Sequence, residues 1–475
     1  MIFGKTLIRP RQIDVTEIEQ ASTGAIYFGT SRLASSLPQR HWPHRLRRIL
    51  AGAVCTLLVV AIGWNLWLRY EVHSFYQVMR AHGIPTNPRE LDRYYAVPAG
   101  SVDNSNAWNP AIAAISPTVR RVISPELLPY LEGPHTIPLP GTPWNLSTEA
   151  TQCLDALAPQ LKSIRSAASL GGRTRLPLDY SVGYFKFKND SRQVRDAVVL
   201  LCFDAAVAAR TGDQQRCRDS QKAAWALCEA IQGQPDIIGM LCWASVLAIN
   251  GGQLERLMPV SGWTDEELAQ LQRQICQFDC RKQLEVALSG ECVDHVNFME
   301  QSPFPFHSPG NELDLITLYS TAKQELKQPW PLVLSKYGEI DAAVDATKYS
   351  RIERYTRAGF RLTAPRLKGY GKSAARTAAR QACLNAGLAT QRFRLRRGRW
   401  PTSLSEIDAD LFGRQPDGNL LLDDPFDGKA LRFQSDAKRC LIYSVGDNQV
   451  DDGGDVSWPE DSHRAPRDLG FSLSP

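Results

Sequence analysis

The least ambiguous pattern in the chain is a run of 20 positions, Ile49 to Leu68 (ILAGAVCTLLVVAIGWNLWL), that carries no charge and only Thr56 and Asn65 as clearly polar side chains. At a rise of about 1.5 Å per residue, such a run spans roughly 30 Å as a helix, the thickness of a bilayer's hydrocarbon core. Trp64 and Trp67 lie near one end, where amphipathic rings favour an interface. Arg40, Arg45, Arg47 and Arg48 crowd the other end, and Arg69 stands almost alone beyond the tryptophans. That asymmetry predicts one transmembrane helix with a cytoplasmic N-terminus. A cleaved signal peptide would need a shorter apolar core close to the start and a small-residue cleavage site. A buried core helix is the other reading, although soluble helices seldom go this long without a charge.

Beyond Tyr70 the pattern changes. Gly83, Pro85, Pro88, Pro98 and Pro110, then Pro134, Pro138, Pro140 and Pro143, predict an irregular segment with short helices over 70–147, laid as a strap on a helical body. Apolar residues then recur at helical spacing from Val194 to Gln232 on both sides of Gly212-Asp213, which predicts a helical hairpin with a stop and a fresh cap between its arms. Further helical patterns cover 236–257, 264–289 from the start signal Thr264-Asp265-Glu266-Glu267, 311–327 and 329–347. A tetratricopeptide-like array is the alternative, but neither its period near 34 residues nor its signature residues are present. Residues 148–370 therefore read as a non-repetitive helical domain.

In the last hundred residues, Lys372 to Arg397 predicts one long helix with a small-residue face around Ala374, Ala378, Leu384, Leu388 and Leu395, ending at Gly398. After it come Trp400-Pro401, a short helix start at 403–407, the turn Asp423 to Gly428, and strand-like runs at 430–433 and 440–444. The acidic loop SVGDNQVDDGGD follows, so 371–475 reads as a small α+β module. The fold class is mostly α. Its expected parts are a polar cytoplasmic tail over 1–48, the membrane helix over 49–68, the strap, the helical domain and the module.

Composition alters this picture little. The net charge of +5 over 475 residues is small, though basic residues cluster before the apolar run and again from Arg351 to Arg399. The first cluster suits anionic lipid headgroups. The second fits a charged helix face, a lipid surface or an acidic partner better than nucleic acid, because few aromatics stand at stacking spacing. Of the 11 cysteines, Cys55 is in the apolar run; Cys202, Cys228, Cys242, Cys276 and Cys383 fall on apolar helical faces and read as buried small side chains, though some would pair on an oxidising side. Cys276 and Cys280 stand one helical turn apart and, with Cys292 and His295, form a loose candidate metal set.

The order long helix, RGRWPTSL, DPFDGKALRF, YSVGDNQVDDGGD resembles the C-terminal globular part of the major pseudopilins of type II secretion systems, over about residues 372–456. The wider arrangement is similar to uncharacterised bacterial membrane-anchored envelope proteins. The resemblance implies calcium at the terminal loop, where Asp447, Asn448, Asp451, Asp452 and Asp455 would supply oxygen ligands and Gly446, Gly453 and Gly454 would let carbonyls turn inward. A solvated acidic loop is the alternative. The loop is not an EF-hand, since Asp452 and Trp458 stand where that motif needs Gly and Glu, and the family's Asp-Gly pair is Asn448-Gln449 here. The chain also departs from pseudopilins in placing His44-Arg45-Leu46-Arg47-Arg48 where they carry a peptidase site, and in separating the apolar run from the long helix by some 300 residues. That argues against a filament subunit.

Nucleophile-elbow, zincin, Walker and dinucleotide motifs do not occur. Glu291, in SGECVDH, is the acidic residue whose setting suggests burial, either as a structural carboxyl or as a catalytic acid. The sequence therefore predicts a single-pass protein of a bacterial inner membrane with its C-terminal region outside the cytoplasm. Its expected partners are the lipid bilayer and another envelope protein, with no nucleic acid, in a non-catalytic scaffold role. The alternative is an exported hydrolase with a site assembled from distant residues.

Overall fold

A computed structural model describes residues 44–131, 135–186, 191–302, 307–346, 357–415, 418–436, 439–457 and 466–474. The expected tail up to residue 43, Pro134, Arg351 at the start of the basic run, and Trp458 lie outside the described residues. The chain divides into two compact units, one up to Arg69 and one from Tyr70 onwards.

Helix α1 (His44–Ala81) carries the apolar run in its part up to Arg69, and every residue from Ile49 to Trp67 is exposed. This helix is long and apolar enough to cross a membrane, and so is Ile237–Leu257 in the second unit. The two differ in where their apolar surface goes. Ile237–Leu257 buries Trp243, Val246, Leu247 and Leu254 in the protein's own core, whereas the run from Ile49 to Trp67 is exposed among the described residues.

The second unit is mostly helical with a small sheet at its C-terminal end. The strap folds into short helices α2 (Pro88–Tyr94), α3 (Ser105–Ala113), α4 (Ile115–Val122) and α5 (Leu128–Leu131). Pro110 does not break the chain as its sequence setting suggests; it sits inside α3, where it removes a single backbone hydrogen bond from a helix of nine residues. Helices α6 (Ser147–Ala156) and α7 (Ala158–Leu170) lead to the hairpin of α8 (Arg192–Arg210) and α9 (Gln214–Ala230). Gly212 takes φ 78° between its arms, and Asp213 caps the second arm by accepting from the Arg216 amide at 3.0 Å. A buried carboxylate pins this layer. Asp204 has no solvent exposure and is held by Arg165, Arg216 and Ser220, so three helices share one ion-pair network.

Next come α10 (Ile237–Leu257), α11 (Asp265–Cys276), α12 (Cys280–Gln301), α13 (Pro309–Glu325), α14 (Trp330–Ala346), α15 (Ala358–Thr363) and α16 (Leu367–Arg397). Thr264 and Glu267 form the expected capping box of α11. The single helix predicted over 264–289 is in fact two. Asp279 caps α12 by accepting from the Lys282 amide at 2.8 Å, and the carbonyls of Ile275 and Phe278 are taken instead by the Gln381 amide at 2.7 and 2.8 Å.

Helix α16 is the axis of the unit. Every residue from Gln381 to Thr390 is buried, because α10, α11, α12 and α14 cover some faces while the sheet covers the others. The sheet is antiparallel, in the order β1 (Arg432–Ser435), β2 (Cys440–Ser444), β3 (Leu469–Leu473). Phe433 pairs with Ile442, and Ile442 with Phe471. Such enclosure explains the composition of α16: alanines and glycines let neighbouring backbones approach, and its buried polar groups all find partners. Asn385 accepts from the Gly413 amide at 2.9 Å and from Gln272 at 2.8 Å, and Arg392 donates to Asp265, Gln272 and the Leu411 carbonyl. Leaving one such group unpaired would cost about 1–3 kcal/mol.

Gly387 marks the closest approach, since a β-carbon there would overlap the Phe471 ring. Gly387→Ala is expected to lower stability by about 1–3 kcal/mol through overpacking. In Gly369→Ala, where a β-carbon meets open space in the first turn of the same helix, the change should be neutral or slightly stabilising. Urea midpoints at unchanged m-value measure both.

Candidate functional site

The acidic loop follows β2. Asp447 accepts from Arg376 Nε at 2.8 Å and from the second guanidinium nitrogen, with Lys372 3.7 Å away. Asn448 donates to Asp452 at 2.6 Å, Asp451 accepts from the Tyr443 hydroxyl at 3.0 Å, Asp452 lies 3.7 Å from Arg467, and Asp455 accepts from Ser457. Gly446, Gly453 and Gly454 do take positive φ, as the motif suggests. They serve a different purpose, however: the Gly454 and Asp455 amides point at the buried carboxylate of Asp468, at 2.8 and 3.1 Å. Asn448 and Asp452 thus bond to each other while Asp447, Asp451 and Asp455 turn to other protein groups, and calcium at this loop would require several of those pairs to open. The turn before it is pinned likewise. Asp424, fully buried, accepts from the Phe426 and Val445 amides, from Ser444 and from Arg432.

The cysteine set is not assembled either. The Cys276 side chain lies beside Gly413, Cys280 donates to Gln381 at 3.4 Å, and His295 pairs with the Tyr319 hydroxyl at 2.8 Å. All eleven cysteines are unpaired thiols. Among the described residues no group of three or more His, Cys, Asp or Glu is placed to hold a metal ion. The arginines of the basic run are largely spent inside the molecule: Arg392 and Arg396 on Asp265, Arg397 on Asp408, Arg399 on Glu406, and Arg394 over the Trp400 ring at 4.2 Å.

What the fold does bring together is a buried acidic group around Glu291. Gly290 has no side chain because a β-carbon would overlap the Pro235 carbonyl, and this close contact lays the turn before α10 directly on α12. Asp236 then caps α10, accepting from the Gly239 amide at 2.6 Å and from the Tyr180 hydroxyl. Glu291 accepts from the next amide, Ile237, at 3.0 Å. Two carboxyls therefore meet the positive end of one helix. One turn along α12, Asp294 is 8% exposed, and no described group donates a hydrogen bond to it. His295 Nε2 lies 3.5 Å from Glu291.

Electrostatically, Glu291, Asp294 and His295 are pushed toward their uncharged forms. Burial pushes the Glu291 carboxyl up to about 7. Asp294 rises to about 8, through burial first and then the charges of Glu291 and Asp236. Burial drives His295 down to about 4, so the pair favours uncharged acid beside uncharged imidazole. A second carboxyl, Glu255 on α10, is pushed by burial up to about 7 while accepting from the Ser472 amide of β3 at 2.9 Å. Chemically, the group can store and release protons near neutrality. Glu291 was legible in the sequence from its Gly-Glu setting. Asp294 carries no such local signal, and Asp236 marks only the start of a helix.

No protein-family model, curated protein or solved structure matches this chain.

The signs of these shifts fix a pH dependence. Glu291, Asp294 and Glu255 have folded values above those of the unfolded chain, so the folded state binds more protons and stability falls as pH rises through about 7 and 8. His295 acts oppositely, its stabilisation growing as pH rises from about 4 and complete above the unfolded value near 6.5. The window from pH 6.5 to 8 isolates the carboxyls. There, unfolding free energy should drop by roughly 1–3 kcal/mol, at up to about 1.4 kcal/mol per proton per pH unit. Thermal melting should show a smaller drop in Asp294→Asn.

Proposed function

We propose that this chain is a membrane-tethered scaffold of a bacterial envelope. On this reading Ile49–Leu68 lies in the inner membrane, the N-terminus is cytoplasmic, and the body from Tyr70 is outside. The observation that carries it is the apolar run itself, 20 residues without a charge, with every residue from Ile49 to Trp67 exposed on all sides of α1. A helix that is hydrophobic all round needs either a protein core or a lipid phase, and among the described residues this one is left exposed. Arg45, Arg47 and Arg48, all exposed, supply the cytoplasmic charge.

The scaffold role draws on the C-terminal end. A long helix, a turn and a small antiparallel sheet follow one another in the order of the pseudopilin module that the sequence resembles. Here α16 is enclosed by α10, α11, α12 and α14, so its surface is not free to pack against further copies. That supports a resident body rather than a filament subunit, with an envelope protein as partner. A second reading, an exported hydrolase, is favoured by one observation: Glu291 of α12 meets Asp236 at the start of α10, with Asp294 one turn along α12 and His295 3.5 Å from Glu291. It would require a substrate to reach carboxyls that are now buried.

Two experiments test the proposal. In carbonate extraction the full chain should stay with the membrane pellet, while Leu58→Arg with Val59→Arg, at about 2.5–3.5 kcal/mol for each charge at the bilayer centre, should move it to the supernatant. A wild-type chain released by carbonate contradicts the tether. Crosslinking in those membranes should then yield an adduct with another envelope protein, and absence of any such adduct contradicts the scaffold role.

A further inference from the structure

Arg380, on α16, is half-buried and unpaired: no described residue shares a hydrogen bond, an ion pair or a ring contact with its guanidinium. Arginines buried to a similar degree elsewhere do not stand alone. Arg165 and Arg216 meet Asp204, Arg432 meets Asp424, and Arg256 and Arg281 donate to the carbonyls of Ile137 and Leu326. A guanidinium drawn out of water without a partner is costly, which is why buried charges are ordinarily paired.

The setting makes that cost larger. Lys372, Arg376 and Arg380 recur every four residues along α16, so one helical face carries them in a row. Burial first, and then the charge of Arg376, push Arg380 below the usual guanidinium range. Asp447 answers part of this charge. It accepts from Arg376 Nε at 2.8 Å and from one terminal nitrogen, and Lys372 lies 3.7 Å away. It is also the one carboxylate, among the described residues, whose charge reaches Arg380.

Three cations thus share one anion, and two positive charges are left over. Free donors are left with them. These are the whole fork of Arg380 and Nη1 of Arg376, the nitrogen that Asp447 does not engage. One helical turn separates the two side chains, about 6 Å between their β-carbons.

We propose that Arg376 and Arg380 form a binding site for a dianionic phosphate group, either the free ion or the end of a phosphate monoester. A planar guanidinium offers parallel N–H donors that match two phosphate oxygens at once. The excess of two charges selects a phosphate, close to −2 near neutrality, over a carboxylate of single charge. Asp447 contributes in a second way, since its hold on Arg376 Nε fixes that guanidinium in one orientation before an anion arrives. The site lies wholly in the body from Tyr70, so it stands independently of the reading of Ile49–Leu68.

Calorimetric titration of the full chain in detergent, near neutral pH and at fixed ionic strength, tests the proposal. Inorganic phosphate, glycerol phosphate and acetate are the probes. Phosphate or its ester should bind one to one, and acetate roughly tenfold more weakly or worse. Arg380→Gln should weaken phosphate binding by roughly tenfold or more, the weight of one or two charge-assisted hydrogen bonds. Arg380→Lys keeps the charge but loses the fork, and its affinity should fall between that of Arg380→Gln and wild type. Arg273→Gln, which removes an exposed arginine of α11, should leave the affinity unchanged. Tighter binding of glycerol phosphate identifies an ester as the occupant, and tighter binding of inorganic phosphate the free ion. Thermal melting in chloride checks the fold: Arg380→Gln should be at least as stable as wild type, because it takes away an uncompensated charge. A clear loss of stability there means that protein groups already pair Arg380, and overturns the site. So do equal phosphate affinities in wild type and Arg380→Gln, acetate binding as tightly as phosphate, or no binding of either phosphate.

Discussion

Ten consecutive residues of α16, Gln381 to Thr390, have no side that faces solvent. A helix enclosed in this way must present surface that several neighbours can approach at once, which is why it is built from alanine, glycine and threonine with Cys383, Leu384 and Leu388 filling the gaps. Its polar side chains must be paired because burial makes each unpaired one expensive. Gln381, Asn385 and Arg392 meet that demand by binding α11 and the 411–413 segment. The sheet, the hairpin's partner α10 and the break between α11 and α12 all follow from this axis. Phe471 reaches the helix at Gly387, and the carbonyls at the end of α11 turn toward Gln381.

Charge is managed by the same economy of burial. Arginines and aspartates that look like exposed clusters in the sequence are mostly joined to one another, as Arg376 is to Asp447 and Arg396 to Asp265. The carboxyls of Glu291, Asp294 and Glu255 have no cation at hydrogen-bonding distance and are pushed toward the neutral form instead. The result is a body whose buried acids are either ion-paired, as Asp204 and Asp424 are, or pushed toward the neutral form, under a surface of internally matched charge. The exposed apolar run before Tyr70 and the unpaired Arg380 stand out against that background.

Elements with local signals were legible in the chain. The hairpin at Gly212-Asp213, the capping box at Thr264 and strand β2 at 440–444 occur where local pattern places them, because caps, turns and alternation are short-range physics. The break at 277–279 was not legible, since it depends on Gln381 lying about a hundred residues away. Strand β3 carried a usable signal in the inward alternation of Leu469, Phe471 and Leu473. At the acidic loop the glycines have the expected backbone form, while Asp447 faces Arg376 and Asp452 lies near Arg467, residues that only the fold brings close.

By its enclosure, α16 makes helices and sheet one cooperative body. Native-state hydrogen exchange of the full chain in increasing denaturant tests this most directly. Amides of β2 and of α16 from Gln381 to Thr390 should merge into the same global opening as those of α10 and α12. Exchange of β2 through a separate opening of lower free energy, while α10 and α12 stay protected, would contradict it.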